Sequence, residues 1–183
     1  TGVQTCALPI SGNEILKFIK EREQKNVNNS SSSPKKLIAI NLSATYLLQD
    51  DDTKKILQQA ISHSDLIFGN SEEFELATSE GFNYKNKLII ITNGSDPVII
   101  KYNDYLQTIK IDLDSIISGD TVAAGDGFVA GFLYEMIENQ LLDNFLAAKS
   151  NEKNLWDFEK VSSCVKYGNL VAGRVIQNAG ASI

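Results

Sequence analysis

Short apolar runs alternate with amphipathic stretches along most of the chain, and this alternation predicts strands connected by helices. The runs that predict buried strands are Leu37–Ile40, Leu66–Phe68 and Leu88–Thr92, and a hairpin is predicted from Val98–Ile100 and Tyr105–Ile111 around Asn103-Asp104. The helices are predicted over 13–22, over Lys54–Ile61, from Ser71, from after Gly119 to about Glu138, and over Asp157–Asn178. Apolar strands that alternate with helices favour an α/β fold, in which helices flank a mostly parallel sheet.

The last predicted helix carries a stripe of apolar and small residues that points inward. Its members follow the helical repeat and are Phe158, Val161, Val165, Gly168, Ala172 and Val175. The small residues in the middle of the stripe predict that another group approaches the helix closely there. A neighbouring helix or strand and a flat ligand ring both fit, and the pattern alone favours the neighbouring element.

Two segments stand apart from this pattern. Residues 1–10 have neither the basic start nor the apolar core of a signal peptide, and they match the translation of a common sequencing adapter. We therefore interpret 1–10 as a non-native scar and 11–183 as part of one domain, so the chain is expected to be a fragment. Residues 26–34, rich in Asn and Ser, are predicted to form a polar surface loop inserted in that domain.

The composition excludes several classes of protein. The chain has 183 residues and a net charge of −6, so it has the size of one domain and lacks the basic surface needed to coat nucleic acid or an anionic membrane. Two cysteines and one histidine are too few for a disulfide framework or a zinc cluster. No apolar stretch is long enough to cross a bilayer. A bound nucleotide is still compatible with this charge, because backbone N–H groups can hold phosphates without lysines.

The densest group of small residues is Gly119–Phe128, which leads into a predicted helix. Small side chains let the backbone turn tightly, and the free N–H groups at a helix start then favour an anion such as a phosphate. Asp126 at this helix start suits a base that accepts a proton from a hydroxyl group. The same pattern also fits an ordinary strand-to-helix turn with an acidic first-turn residue. The segment matches neither the P-loop sequence nor the full spacing of a dinucleotide-binding fingerprint.

Two further polar groups follow predicted strands. Asn70-Ser71-Glu72-Glu73 comes directly after Leu66–Phe68, and Thr92-Asn93-Gly94 ends the next strand. Open α/β sheets bind ligands at the carboxyl ends of their strands, so both positions suit a ligand site. Each has a structural alternative, since Asn70 and Glu73 also match a helix capping box and Asn-Gly is an ordinary turn sequence.

In chain order, N-x-x-E after one strand, T-x-G after the next and D-T-x-x-A-G-D-x-F into a helix resemble the motifs of the ribokinase-like (PfkB) kinases. The resemblance covers nearly everything from Leu37 to Ile183. Within that family, the segments Asn41–Ala44, Asp65–Asn70 and Val175–Ser182 are most similar to the adenosine kinases. The resemblance implies a ribokinase-like α/β fold that is truncated on its amino-terminal side, where the family carries most of its acceptor-binding residues.

The resemblance also assigns roles to individual residues. It makes Asp126 the catalytic base, which takes the proton of the acceptor hydroxyl. The other assignments are an anion hole of backbone amides around Ala123, Ala124 and Gly125, ATP contacts for Thr92, Gly94 and Asn169, ordering of Mg²⁺ and phosphate-bound water for Asn70 and Glu73, and motif positions for Asp120 and Thr121.

Two residues of this chain depart from the family pattern. Ala123 stands where the family usually has glycine, so its methyl group would crowd the phosphate or require an uncommon backbone angle. Val122 stands where adenosine kinases commonly have asparagine, which weakens the assignment of the nucleoside.

The implied activity is phosphorylation of the 5′-hydroxyl of adenosine by ATP with Mg²⁺, which gives AMP in purine salvage. The complete enzyme is expected to be a cytoplasmic monomer that binds adenosine and ATP, and neither nucleic acid nor a membrane. The isolated chain is expected to be inactive, because it carries the phosphate-transfer half and lacks most of the acceptor half. A PfkB kinase for another nucleoside or sugar, and a catalytically silent nucleotide-binding protein, stay open as alternatives.

Overall fold

The structure, a computed structural model, describes residues 14, 17, 37–42, 50–110, 123–148 and 156–177, with the backbone alone described at 146–148. Glu14 and Lys17 are helical, as predicted for 13–22, and the other residues of that predicted segment lie outside the described residues. The interpretations of 1–10, of the loop 26–34, and of Asp120 and Thr121 also concern residues outside this description.

The described elements follow the predicted alternation of strands and helices. The strands are β1 (Ala39–Asn41), β2 (Leu66–Asn70), β3 (Leu88–Asn93), β4 (Asp96–Tyr102) and β5 (Tyr105–Ile109). The helices are α1 (Asp51–His63), α2 (Ser71–Ser79), α3 (Ala124–Glu138), α4 (Leu141–Ala148) and α5 (Phe158–Gln177). Within the described ranges, no helix combines the length and the apolar character needed to cross a membrane.

The five strands form one mixed sheet in the order β1-β2-β3-β4-β5. β1 and β2 run parallel, with Ala39 opposite Leu66 and Asn41 opposite Phe68. β2 reaches its neighbour β3 through the helix α2, which is the βαβ connection of a parallel pair. The short turns at Gly94-Ser95 and Asn103-Asp104 join neighbouring strands as hairpins, so β3, β4 and β5 alternate in direction. The sequence prediction of a hairpin around Asn103-Asp104 is confirmed.

Helix α1 begins earlier than the apolar pattern indicated, because an acidic residue caps it. Asp50 Oδ2 accepts hydrogen bonds from the backbone N–H of Thr53 at 2.8 Å and from Thr53 Oγ1 at 2.6 Å. This side chain satisfies one of the N–H groups that a helix start leaves without an intrahelical partner. The polar first turn therefore extends the predicted helix Lys54–Ile61 back to Asp51.

Helix α4 was missing from the predicted elements. Gln140 adopts a left-handed backbone angle with φ of 55°, which ends α3 and lets the chain start a new helix at Leu141. Leu141 and Phe145 lie on the same face of this helix, and both side chains are buried. This spacing of apolar residues was a usable signal for the extra helix.

Contacts along the chain define two compact units, and the first comprises Thr1–Ile91 with Ile100–Leu106. All three apolar residues of Leu66–Phe68 are buried, as expected for a strand that is covered on both faces. Lys87 is also buried, and its Nζ donates hydrogen bonds to the backbone carbonyl of Ser62 at 3.0 Å and to that of Ser64 at 2.8 Å. The ammonium group thus links the carboxyl end of α1 to the residue before β3.

The second unit comprises Thr92–Ile99 with Gln107–Ile183, and the pair of helices α3 and α5 forms its main packing contact. A Cβ atom on Gly168 would lie 2.8 Å from the backbone oxygen of Phe128, and one on Gly131 would lie 2.7 Å from Cγ2 of Val171. Both distances are shorter than atomic contact allows, so only glycine permits this approach of the two helices. The small residues of the α5 stripe are therefore explained by a neighbouring helix, as the pattern favoured.

Candidate functional site

The start of α3 presents backbone N–H groups that have no partner inside the helix. The first intrahelical bond runs from the N–H of Gly127 to the carbonyl of Ala123 at 2.9 Å, so the N–H groups of Ala124, Gly125 and Asp126 precede the ladder. No side-chain hydrogen bond caps this end of the helix in the described part of the chain. The three N–H groups and the positive end of the helix dipole therefore favour an anion here.

Exposure at this helix start leaves room for a ligand. Gly125 and Asp126 are exposed, whereas Ala123 and Ala124 are partly buried. A Cβ atom built on Gly125 would meet no described residue within 4 Å, so the backbone is open at this point as far as the described part of the chain shows. The following turns are anchored in the core by Phe128, which is 3% exposed. A rigid helix thus holds its first turn at the surface, where the carboxylate of Asp126 can accept a proton from a hydroxyl group.

Ala123 adopts the left-handed conformation directly before α3. Its φ is 64° and its ψ is 6°, a region that L-residues with a Cβ atom occupy at a cost of about 1–2 kcal/mol. This is the uncommon backbone angle that the replacement of the family's glycine suggested. The turn that aims the N–H groups of α3 outward is therefore made with a residue that is strained in it.

Asn70 and Glu73 form a complete capping box at the start of α2. Asn70 Oδ1 accepts from the N–H of Glu73 at 2.8 Å, and Glu73 Oε2 accepts from the N–H of Asn70 at 2.8 Å. Burial raises the pKa of the Glu73 carboxyl, against the opposing effect of the hydrogen bond from Asn70. The structural alternative for N-x-x-E is thus present, and it uses one polar atom of each side chain.

Thr92 and Gly94 lie where β3 turns into β4. Thr92 is partly buried at the end of β3, and Gly94 is exposed with a φ of 56°. A positive φ at the first turn residue is the position where a tight hairpin requires glycine. The amide nitrogen Nδ2 of Asn93 donates to Oδ2 of Asp96 at 2.7 Å across this turn. Asp96 was not singled out from the sequence, although an Asp three residues after Asn across a turn is a recognisable signal.

Asn169 lies on α5 and is partly buried, next to the close approach of α5 to α3. Tyr167, two residues before Asn169 on α5, stacks its ring on that of Tyr134 on α3, with centroids 5.5 Å apart. Thr92, Gly94, Asn169 and the helix start at Ala123–Asp126 belong to the second unit, whereas Asn70 and Glu73 belong to the first.

The described residues include no group of three or more His, Cys, Asp or Glu side chains that could enclose a metal ion. Magnesium in phosphate-transfer sites needs no such group, because water and the substrate's phosphates supply most of its ligands. A single carboxylate such as Glu73 or Asp126 therefore fits a Mg²⁺ ion that arrives with a nucleotide.

Comparison with known proteins decides the family. Residues 34–183 match the family described as pfkB family carbohydrate kinase. The chain belongs to the PfkB family. The family assignment implies a phosphotransferase, and it confirms the ribokinase-like kinase that the three motifs resembled.

Individual PfkB relatives are distant and considerably longer than this chain. Adenosine kinase 2 of Arabidopsis thaliana is 22% identical over 179 residues, which cover 85% of this chain and 45% of that protein. Adenosine kinase from Schistosoma mansoni in complex with 2-fluoroadenosine has a TM-score of 0.65 at 23% identity, over 94% of this chain and 48% of that one. An uncharacterized sugar kinase from Pyrococcus horikoshii has a TM-score of 0.64 at 21% identity, over 92% and 47%. These likenesses confirm the fold, and this chain spans about half the length of these relatives.

Proposed function

We propose that the protein takes part in the ATP-dependent phosphorylation of the 5′-hydroxyl of adenosine, which gives AMP. The observation that carries this proposal is the start of α3, where N–H groups that have no partner inside the helix and an exposed carboxylate share one helical turn. Phosphoryl transfer needs an anion site and a proton acceptor that lie close together, and it needs little covalent chemistry from the protein. This chain would supply the phosphate-transfer half of the enzyme.

ATP with Mg²⁺ supplies the phosphoryl group in this reaction. The N–H groups of Ala124 and Gly125 stabilise negative charge on the group in transfer, because the backbone holds them in place before the reaction begins. The carboxylate of Asp126 accepts the proton of the attacking hydroxyl, which makes its oxygen a better nucleophile. Asn70 and Glu73 would order Mg²⁺ and phosphate-bound water, and Thr92, Gly94 and Asn169 would contact ATP.

Replacement of the proposed base tests this mechanism. Asp126→Asn in a form of the protein extended to the full length of its relatives should lower the turnover by between about a hundredfold and ten-thousandfold, since general base catalysis contributes that much. ATP binding, measured by calorimetry, should be retained. Asp143→Asn is the matched control, because Asp143 is also an exposed carboxylate in the first turn of a helix, α4. Full turnover by the Asp126→Asn enzyme would contradict the assignment.

A PfkB kinase for a sugar or for another nucleoside is the second candidate. The Pyrococcus horikoshii sugar kinase resembles this chain as closely in fold as the Schistosoma mansoni adenosine kinase does, with TM-scores of 0.64 and 0.65. A catalytically silent nucleotide-binding protein is the third, and the strained Ala123 favours it. ATP binding without transfer, together with transfer restored by Ala123→Gly, would support the silent protein.

A further inference from the structure

The exposed turn between β3 and β4 contains the sequence Asn93-Gly94, in which two groups that can react with each other lie on adjacent residues. Both residues are exposed, and Gly94 has a φ of 56° and no side chain. Its amide nitrogen is therefore not shielded by a Cβ atom from the side-chain Cγ of Asn93. In the range 50–110, no hydrogen bond uses the backbone N–H of Gly94 as a donor. A nucleophile and an electrophile thus lie on adjacent residues, in contact with solvent.

We propose that Asn93 is a site of spontaneous deamidation. The amide nitrogen of Gly94 attacks Cγ of Asn93, and the new C–N bond closes a succinimide ring. The Gly94 nitrogen loses its proton, the bond between Cγ and Nδ2 breaks, and the departing NH2 group takes up a proton and leaves as ammonia. Water, the only co-reactant, then adds to either ring carbonyl and opens the ring to aspartate or isoaspartate. No residue is oxidised or reduced in this sequence.

The reaction changes the charge balance of the hairpin. In the unmodified chain, Asn93 Nδ2 donates to Asp96 Oδ2 at 2.7 Å, and the two residues flank the turn on opposite strands. Deamidation removes this donor and places a second carboxylate opposite Asp96. Like charges that face each other across two strands are destabilising, so the modified hairpin is less stable than the original one. Isoaspartate also lengthens the backbone, which breaks the register of the turn.

The modification also has a consequence that rests on the proposed function. The residues on either side of Asn93 are Thr92 and Gly94, the proposed contacts to ATP. A new negative charge between them repels the phosphates of the nucleotide, so the modified protein binds ATP more weakly. As the protein ages, deamidation would therefore lower its affinity for the nucleotide slowly and irreversibly.

Peptide mass spectrometry of the aged chain tests the modification without any nucleotide. The chain is incubated in mildly alkaline buffer with and without urea, digested, and analysed for the mass gain of deamidation and for isoaspartate. Asn103 is an internal control, since it is also an exposed turn residue, with a φ of 51°, but is followed by Asp104 and accepts from the N–H of Asn86 at 2.8 Å. In the folded chain, Asn93 should convert faster than Asn103 by roughly tenfold or more, because only Asn93 precedes a residue without a Cβ atom. Equal conversion of both, or conversion of Asn93 only in urea, would overturn the proposal.

Two variants separate the modification from its consequence. Asn93→Asp mimics the charge of the product, and Asn93→Gln keeps the amide while its longer side chain forms a ring far more slowly. In the chain itself, Asn93→Asp should unfold at a lower urea concentration than Asn93→Gln, because only the former faces Asp96 with a like charge. In the extended protein, Asn93→Asp should bind ATP more weakly than Asn93→Gln. Conversion of Asn93 with unchanged ATP affinity would uphold the deamidation site and contradict the proposed ATP contact at this turn.

Discussion

Replacement of Ala123 by glycine should stabilise the second unit, whereas the same replacement at Ala130 should destabilise it. Ala123 has a φ of 64°, and release of an L-residue from this region recovers about 1–2 kcal/mol. This gain is reduced by about 0.4–1 kcal/mol, because glycine loses more conformational entropy on folding than alanine does. We therefore expect a net gain of about 1 kcal/mol for Ala123→Gly.

Ala130 is the matched control because it lies on the same helix α3, is exposed, and has an ordinary helical conformation. Ala130→Gly should cost about 1 kcal/mol, the usual difference in helix propensity. Urea denaturation followed by tryptophan fluorescence can measure both values. The single tryptophan, Trp156, is buried in the same unit and stacks on Phe145 with ring centroids 4.2 Å apart. Equal losses of stability in the two variants would refute the left-handed conformation of Ala123.

The remaining predictions concern the cap of α2 and the contact between α3 and α5. Burial raises the pKa of Glu73 above 4.5, so the folded chain holds this proton more tightly and its stability falls as the pH rises from 4.5 through the raised pKa. Glu73→Gln should keep the capping box and lose this fall, while Glu73→Ala should lose both and be about 1 kcal/mol less stable than Glu73→Gln; an unchanged pH profile in Glu73→Gln would contradict the assignment. Gly168→Ala should cost about 1–3 kcal/mol, because its methyl group would lie 2.8 Å from the Phe128 carbonyl. Gly173→Ala is its control, since no described residue lies within 4 Å of a Cβ atom at that position and alanine favours a helix; a similar loss in both would show that the close approach is not there.

Local sequence patterns were sufficient for most elements of the fold. The apolar runs predicted the strands β2 and β3, and the inward stripe predicted α5. Each of these elements buries the side chains that its own repeat places on the covered side, so the sequence shows the pattern directly. Helix α4 was not predicted, although Leu141 and Phe145 follow the helical repeat, and its start could not be located because glutamine does not signal the left-handed conformation of Gln140. The observed helix start differs from the predicted one where a polar side chain, such as that of Asp50, caps the first turn.

The candidate site was harder to derive from sequence than the fold was. Alanine is the strongest helix former, so the residue type gives no reason to expect a positive φ at Ala123. Only the resemblance to a family with glycine at this position indicated an uncommon backbone angle there. The small residues near Asn169 had two explanations, and only the position of α3 against Gly168 selects helix packing. Such contacts connect distant parts of the chain, which local patterns do not encode.

The most direct test of the proposed function is a competition between acceptors. The protein, extended to the full length of its relatives, is mixed with ATP, Mg²⁺ and equal amounts of adenosine and ribose, and the phosphorylated products are quantified by mass spectrometry. We expect AMP to form in step with ADP while ribose stays unmodified. Formation of a sugar phosphate alone would assign the site to a sugar kinase, and ATP binding with no phosphorylated product would contradict phosphoryl transfer altogether.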